Sequence, residues 1–241
     1  MSTSLYQCLV PVLNLPNAHK VCEVACGTGN GIPILLNHLP SDAEIWASDI
    51  SDEMIEKVNQ RQLPRTHTTQ ASNDALPYED NFFDRYVANL SLMLVPDASA
   101  MLREAYRVLA PGGTAVFSVW GRQENSTALG YLEQVCREVI GENFAKKRSN
   151  FYLNNAHETM RLATEAGFQN PHYFYTASPM GPIGLEESVQ YYIDTPHLEG
   201  IKKQSEENYN RVVERLREIM TEMDRRNEIL MFEVVVIVVH K

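Results

Sequence analysis

Hydrophobic and polar positions follow two different periods along the chain. From residue 20 onward, short runs rich in β-branched residues alternate with longer segments in which apolar positions recur every three or four residues. The first pattern predicts buried strands and the second amphipathic helices, as in repeated strand–helix–strand units. The predicted strands cover residues 20–24, 44–48, 67–70, 85–89, 114–120, 171–176 and 229–240. The predicted fold class is therefore α/β, doubly wound, with a seven-stranded, mostly parallel sheet.

Two helix starts are marked by capping residues. Ser51 precedes Asp52 and Glu53, which predicts an N-cap with acidic residues in the first helical turn. Asp97 opens a second helix over residues 98–109, which we expect to end at the Pro-Gly-Gly of residues 111–113.

The last predicted strand follows a long helical stretch, so we expect it to insert beside strand 171–176 in the antiparallel direction. Residues 177–228 lie between these two strands and are too many for a hairpin turn, which predicts a helical cap insertion. The predicted organisation is an N-terminal cap segment at 1–19, a core at 20–176 and 229–241, and the cap at 177–228. Within the cap, one helix face carries a core stripe of Val212, Val213, Leu216, Ile219, Met220 and Met223.

Composition and charge narrow the class of protein. The 241 residues are 44% hydrophobic and 22% charged, which is typical of a globular protein, and the formal net charge of -10 disfavours nucleic acid as a partner. The longest apolar run, 234–239, is too short to span a membrane, and the first residues lack the features of a secretory signal. We therefore expect a cytoplasmic protein with no membrane span. The spacing of its four cysteines matches no usual zinc motif, which predicts reduced thiols and no metal site.

A glycine-rich turn directly follows the first predicted strand. Residues 21–31 read Val-Cys-Glu-Val-Ala-Cys-Gly-Thr-Gly-Asn-Gly, and an amphipathic helix is predicted at 32–39. Ligands of doubly wound folds bind at the carboxyl ends of the strands, and Gly27 and Gly29 would let the backbone approach a ligand closely. A dinucleotide-binding motif read from Gly27 requires a third glycine where Ile32 stands, so pyrophosphate binding is disfavoured.

The turn instead resembles motif I of the class I S-adenosylmethionine (SAM)-dependent methyltransferases, acidic-x-Gly-x-Gly-x-Gly, in which Ala25 replaces one glycine. That replacement is tolerable if Ala25 has a negative φ. Three further segments agree in order and spacing. An acid, Asp49, lies 20 residues after Gly29; Asn-Asp-Ala-Leu-Pro at 73–77 resembles the adenine loop of the family; and residues 104–113 resemble its helix-to-fifth-strand signature.

The resemblance implies a role for each matching position. Glu23 would organise the loop near the methionine amino group, and Asp49 would bind the ribose hydroxyls. Asp74 and Ala75 would read the adenine. Two alternatives stay open: Asp49 is an ordinary helix-capping acid, or Asp74 is part of an ordinary turn. The full set of implied cofactor-binding residues is Glu23, Ala25, Gly27, Gly29, Asp49, Ile50, Met54, Asn73, Asp74, Ala75, Asn89 and Leu90.

The methyl acceptor is predicted to be a small molecule. Residues 89–92 read Asn-Leu-Ser-Leu and not the Asp/Asn-Pro-Pro-Tyr/Phe sequence of enzymes that methylate amino groups of DNA bases. The chain looks more like the small-molecule members, including those similar to ubiquinone and menaquinone C-methyltransferases. Transfer would proceed by in-line displacement, driven by proximity and orientation. His197 is either a general base or a solvated loop histidine, and Tyr191 is a second candidate catalytic residue, although one of the adjacent Tyr191 and Tyr192 should be buried.

Two other classes of function are compatible with the fold. A non-catalytic SAM-binding protein or partner subunit is one alternative to an enzyme. A nicotinamide oxidoreductase is the other, but the glycine spacing argues against it. The oligomeric state stays open, and a homodimer is compatible with the sequence.

Overall fold

The computed structural model describes residues 2–141, 149, 151–180 and 184–241. Within them the strands are β1 Lys20–Val24, β2 Glu44–Asp49, β3 Thr66–Gln70, β4 Phe83–Asn89, β5 Leu109–Trp120, β6 Gln169–Pro179 and β7 Met231–His240. The order in the sheet is β3-β2-β1-β4-β5-β7-β6. Strands β1 to β5 pair in parallel, and β7 runs antiparallel to β5. The predicted mostly parallel sheet with an antiparallel last strand is confirmed.

The predicted helix caps are present. The Ser51 hydroxyl accepts a bond from the Met54 N–H, and the Asp97 carboxylate accepts one from the Ala100 N–H. The helix after the glycine-rich turn is shorter than predicted, with five residues. In the described residues the helices are α1 Ser2–Leu13, α2 Ile32–Leu36, α3 Asp52–Gln60, α4 Ala98–Val108, α5 Thr127–Ile140, α6 Ala156–Glu165, α7 Leu185–Ile193, α8 Pro196–Gln204 and α9 Glu206–Arg225.

The junction of α4 and β5 differs from the prediction. The helix ends at Val108, and β5 already includes the Pro-Gly-Gly of residues 111–113. The backbone of Leu109 is already extended, with φ −77° and ψ 135°, so the helix ends one residue earlier than predicted. Ala110, which precedes Pro111, avoids the α conformation as well. The pairing of β4 with β5 shifts register between Phe83 and Arg85, and this irregularity accommodates the extra residues.

The part of the chain that the structure describes divides into two compact units. The first unit comprises residues 1–121, 150–176 and 234–241, so the N-terminal segment belongs to the core unit. The second comprises residues 122–149 and 177–233, so α5 joins the predicted cap helices. The reason lies in packing, because α5 contacts α9. The apolar face of α9 is buried as predicted at Val212, Leu216, Met220 and Met223, whereas Val213 and Ile219 are half-buried.

In the first unit, Arg85 anchors the end of α1. The Arg85 side chain is buried and donates to the carbonyl oxygens of Leu13 (2.5 Å) and Asn14 (3.1 Å). These bonds satisfy carbonyl groups that a helix C-terminus otherwise leaves without partners. The helix packs against α2, β4 and β5. Its N-terminal half can therefore place side chains beside the glycine-rich turn.

None of the four cysteines, all of which the structure describes, forms a disulfide, in agreement with the predicted reduced thiols. Cys22, Cys26 and Cys136 are buried, and Cys8 is half-buried beside the hydroxyl of Thr176 at 3.5 Å. Burial raises the pKa of the Cys136 thiol to about 12, so this group stays protonated and unreactive at neutral pH.

Candidate functional site

The carboxyl ends of three adjacent parallel strands meet in the first unit. β1 lies between β2 and β4 in the sheet, and all three run in the same direction. The glycine-rich turn after β1, Asp49 at the end of β2 and Asn89 at the end of β4 therefore lie at one edge of the sheet. This is the edge at which doubly wound folds bind their ligands.

Asp49 joins the turn after β1 to the start of α3. Its Oδ2 accepts a bond from the Gly27 N–H at 2.9 Å, and its Oδ1 accepts one from the Ser51 N–H at 3.0 Å. Asp49 therefore holds the backbone of both the glycine-rich turn and Ser51, while Ser51 itself caps α3. Each carboxylate oxygen has more than one lone pair, so both can accept a further donor such as a ribose hydroxyl.

The glycine-rich turn contains residues in the left-handed region. Ala25 has φ 50°, so the condition under which its replacement of glycine is free of strain is not met. Gly27 has φ +55°, and a Cβ built there would meet nothing within 4 Å. Gly29 differs, because a Cβ there would lie 3.0 Å from Val58 and 3.2 Å from Ile32. Gly27 therefore leaves space for a ligand, whereas Gly29 is required for close packing against α3.

Glu23 is a fully buried acid at the base of the turn. The Tyr6 hydroxyl, from α1, donates a hydrogen bond to its Oε1. Its Oε2 is buried and has no hydrogen-bond partner among the described residues. Burial raises the pKa of Glu23 to about 7, although the bond from Tyr6 opposes the rise. A cationic or hydrogen-bond-donating ligand group is what such an oxygen would accept.

Tyr6 also explains why residue 31, in the same loop, is a glycine. A Cβ at Gly31 would lie 2.1 Å from the Tyr6 ring, so the ring packs directly on the Gly31 backbone. Burial, followed by the negative charge of Glu23, raises the pKa of Tyr6 well above its usual value. Tyr6 is therefore a permanent donor to Glu23.

The end of β4 carries a strained backbone. Leu90 has φ 53°, a conformation that is uncommon for a non-glycine residue and that concentrates at functional sites. Ser118 stabilises it, because the Leu90 N–H donates to the Ser118 carbonyl at 3.0 Å and to its hydroxyl at 2.9 Å. The same hydroxyl donates to Asn89 Oδ1 at 2.6 Å. Next in the chain, the Ser91 hydroxyl is buried, and no described residue forms a hydrogen bond with it.

The predicted adenine-loop residues form a tight turn beside β2. The Ala75 N–H donates to the Ser72 carbonyl at 3.1 Å, and the Ser72 hydroxyl donates to Asp74. Asp74 and Ala75 are exposed, whereas Asn73 is buried. Ile50 leaves 70% of its surface exposed immediately after Asp49. An exposed apolar side chain at this position is available to contact a flat base. Met54 is half-buried in the first turn of α3.

The two candidate catalytic residues lie in the second unit. His197 was predicted to lie in a loop. In the structure it is exposed in the first turn of α8, directly after Pro196. Proline is favourable at that point of a helix, which explains the earlier start. Tyr191 is half-buried on α7 and packs edge-on against Phe232, while the adjacent Tyr192 is buried as expected.

The sequence did not point to several residues that shape the site. Tyr6 and Ser118 contact the predicted site residues through the fold alone, from positions remote in the chain. Arg61, which follows α3, donates to the Thr28 carbonyl at 2.8 Å and to Asn30 at 3.0 Å. No local motif marks these three residues. Their partners become visible only when the strands are placed side by side.

Comparison with known proteins identifies the family. Residues 22–117 match the profile of the methyltransferase domain. The chain is 30% identical over 177 residues to the demethylmenaquinone methyltransferase of Staphylococcus saprophyticus, which covers 66% of this chain and 73% of that protein. A search for membrane-spanning helices among the described residues found none of sufficient length and apolarity.

Solved structures agree at the level of the fold. A SAM-dependent methyltransferase from Aquifex aeolicus superimposes with a TM-score of 0.53 at 18% identity, over 68% of this chain and 79% of that one. A phosphoethanolamine N-methyltransferase from Haemonchus contortus, in complex with S-adenosylhomocysteine, gives 0.58 at 16% identity, over 99% of this chain and 52% of that one. Together with the strand order and the acidic, glycine-rich edge described above, these similarities show that the chain belongs to the class I SAM-dependent methyltransferases, in the group that resembles the menaquinone enzymes.

Proposed function

We propose that SAM binds across the carboxyl ends of β1, β2 and β4. The observation that carries this proposal is that the turn combines a buried Glu23 oxygen, which has no hydrogen-bond partner among the described residues, with free space beside Gly27. The positively charged methionine amino group suits Glu23 Oε2, because a buried carboxylate oxygen without a donor is unfavourable. Asp49 is the candidate for the ribose hydroxyls, and Asp74 with Ala75 for the adenine edge. Ala25, Gly29, Ile50, Met54, Asn73, Asn89 and Leu90 complete the proposed cofactor site.

We infer that the methyl acceptor is a small aromatic ring of the hydroquinone class. The support comes from the name of the relatives, demethylmenaquinone methyltransferases, and from the apolar character of the segment after β4. Leu92 and Met93 are buried there, and Leu94 leaves 63% of its surface exposed. An apolar acceptor gains from contact with such a surface, since burial of apolar area is favourable.

SAM supplies a methyl group that its sulfonium already activates. The protein therefore has to hold a nucleophile in line with that methyl group and keep water away from it. For a hydroquinone, loss of a phenolic proton makes the neighbouring ring carbon nucleophilic. That carbon forms the new bond to the methyl carbon as the bond from sulfur breaks, and its own proton then leaves to restore the aromatic ring.

A general base would assist the loss of the phenolic proton. His197 and Tyr191 are the two candidates from the sequence. Burial raises the pKa of Tyr191 above its usual value and keeps that group protonated at neutral pH, which favours His197 of the two. A His197→Ala variant with unchanged methyl transfer at every pH would eliminate His197 from this role.

The experiment combines the chain with SAM that carries a trideuterated methyl group. A naphthohydroquinone with a free ring position is the acceptor, and its ring-methylated counterpart is the control. Mass spectrometry should detect the labelled methyl group only on the first compound. The variant Gly27→Val should abolish transfer, because a β-branched side chain would occupy the open space beside the turn. Binding of SAM without transfer to any acceptor would support the non-catalytic alternative.

The remaining expectations extend the same proposal. A small molecule is favoured over nucleic acid by the net charge of -10, which repels a phosphate backbone. A cytoplasmic location and a homodimer stay predictions, and sedimentation of the purified chain tests the second. Electrophoretic retardation of DNA or RNA at moderate salt would contradict the preference for a small molecule over nucleic acid.

A further inference from the structure

A Glu-x-x-Arg pair on α4 holds the chain next to the turn that carries Asp74. Leu76, two residues after Asp74, donates its N–H to Glu104 Oε1 at 2.7 Å. Its carbonyl accepts a bond from Arg107 at 3.0 Å. Both polar backbone groups of Leu76 are thus paired, as they would be beside a neighbouring strand.

Arg107 also forms hydrogen bonds with the residues that follow Leu76, as far as Asp80. One guanidinium nitrogen donates to the Tyr78 carbonyl at 2.8 Å and to Asp80 at 2.7 Å. Two further bonds, of 2.8 and 2.6 Å, join the guanidinium to the Glu104 carboxylate. The planar fork of an arginine can make such parallel bonds, whereas a lysine cannot. The Arg107 guanidinium also holds the pKa of Glu104 below its usual value, so the pair is ionised at neutral pH.

The opposite side of the turn is fixed to the end of β2. The Ala71 N–H donates to the Asp49 carbonyl at 3.0 Å, and the Gln70 side chain donates to the Ile50 carbonyl at 3.1 Å. Asp74 and Ala75 themselves are exposed at the tip of the turn. Their position is therefore set by the anchors on either side, one on β2 and one on α4.

We propose that Glu104 and Arg107 are positioning residues that determine the purine selectivity of the cofactor site, because they fix the backbone that presents Asp74 and Ala75. This inference rests on the proposed adenine-reading role of Asp74 and Ala75. Adenine offers a donor amino group and an acceptor nitrogen on this edge, and hypoxanthine offers a carbonyl and a protonated nitrogen. A carboxylate only accepts hydrogen bonds, so Asp74 suits the amino group of adenine and not the carbonyl of hypoxanthine, and discrimination depends on the placement of that carboxylate.

The test is calorimetric titration of the full chain with S-adenosylhomocysteine and with S-inosylhomocysteine. The variant Arg107→Lys keeps the charge but loses the fork. We expect its preference for the adenine compound to fall by about tenfold, which corresponds to about 1.4 kcal/mol and lies within the range for one hydrogen bond. The loss should fall on S-adenosylhomocysteine, while the affinity for S-inosylhomocysteine stays within about twofold of the original value.

The chain provides a matched control on α6. Arg161 forms the same Glu-x-x-Arg pair with Glu158, with bonds of 3.0 and 2.6 Å, but on an exposed helix face. Arg161→Lys should leave the preference unchanged. If Arg107→Lys does not fold, Glu104→Gln is titrated instead, since it keeps an oxygen for Leu76 but loses the charge that orients Arg107, and the same loss of preference is expected.

An unchanged preference in the folded variant overturns the inference. Equal losses for both compounds also overturn it, because they would mean that the α4 pair supports only the fold. Equal binding of both compounds by the unmodified chain refutes the adenine-reading role and the inference with it. Failure of the unmodified chain to bind either compound refutes instead the proposed cofactor site as a whole.

Discussion

The hydroxyl of Tyr6 donates a hydrogen bond to Oε1 of Glu23, and the other oxygen of that carboxylate is buried without a partner in the part of the chain that the structure describes. The two residues are 17 positions apart, on α1 and β1. This contact ties the N-terminal helix to the base of the glycine-rich turn. It also gives the fold an acid that responds to pH near neutrality.

Loss of the Tyr6 hydroxyl should destabilise the protein more at pH 8 than at pH 5. The Glu23 carboxylate is ionised at the higher pH, and a hydrogen bond to a charged group contributes roughly 1.5 to 3 kcal/mol. Tyr6→Phe should therefore lower the free energy of unfolding in urea by about that amount at pH 8. Tyr86→Phe is the matched control. The buried Tyr86 hydroxyl has no hydrogen-bond partner within the described ranges, so its removal should be near neutral. Equal losses in the two variants would contradict the role of the Tyr6–Glu23 bond.

Glu23 should make the protein less stable as the pH rises. The folded-state pKa is about 7 against an ordinary value of 4.5, so the folded state binds more protons than the unfolded state between these values. The stabilisation is fully present below pH 4.5 and is lost as the pH rises through 7, a change of about 3 kcal/mol at about 1.36 kcal/mol per pH unit.

The variant Glu23→Gln isolates this contribution, because it keeps an oxygen for Tyr6 and cannot ionise. Unfolding curves of both proteins at several pH values give the difference in their free energies of unfolding. The contributions of other titrating groups largely cancel in this difference, because both proteins contain them. The variant should gain stability relative to the original protein as the pH rises from 5 to 8. A difference that does not change with pH would show that Glu23 titrates at its ordinary pKa.

Ala25→Gly should stabilise the protein. An L-residue in the left-handed region costs roughly 1 to 2 kcal/mol, and glycine removes that cost while adding about 0.4 to 1 kcal/mol of unfolded-state entropy. The net gain of about 0.5 to 1 kcal/mol should raise Tm by a few degrees. Ala47→Gly, in the middle of β2, is the control and should lower Tm. A lower Tm for Ala25→Gly would mean that the methyl group contributes packing that outweighs the strain.

Asp49→Ala should weaken both the fold and cofactor binding. The carboxylate holds the N–H groups of Gly27 and Ser51, so the loss of stability should be about 1 to 3 kcal/mol. Calorimetry with S-adenosylhomocysteine should show at least about a tenfold loss of affinity. Asp52→Ala, at an exposed acid in the next helix, should change the affinity little.

A 2′-deoxyribose analogue of S-adenosylhomocysteine separates the two roles of Asp49. If the carboxylate binds the ribose, removal of the hydroxyl should weaken binding to the original protein but have little further effect in Asp49→Ala. Additive losses would assign Asp49 to the organisation of the loop alone.

The sequence by itself determined the strand set, the parallel sheet and the order of the site residues along the chain. Buried strands read as short β-branched runs, and helix starts are marked by single capping residues such as Ser51 and Asp97, so local patterns suffice for them. Motif spacing placed Glu23, Gly27 and Asp49 at strand ends. Because parallel strands end at one edge of a sheet, their proximity followed from the fold class.

Only the tertiary structure decided which remote residues complete that edge. Tyr6 reaches Glu23 because α1 packs against β4 and β5, and Arg107 reaches Leu76 because α4 lies beside the loop after β3. The positive φ of Ala25 and Leu90 could not be predicted from the sequence either. A strained backbone persists only where the surrounding contacts stabilise it. Such relationships depend on packing between segments that are distant in the chain. No local period or spacing in the sequence records them.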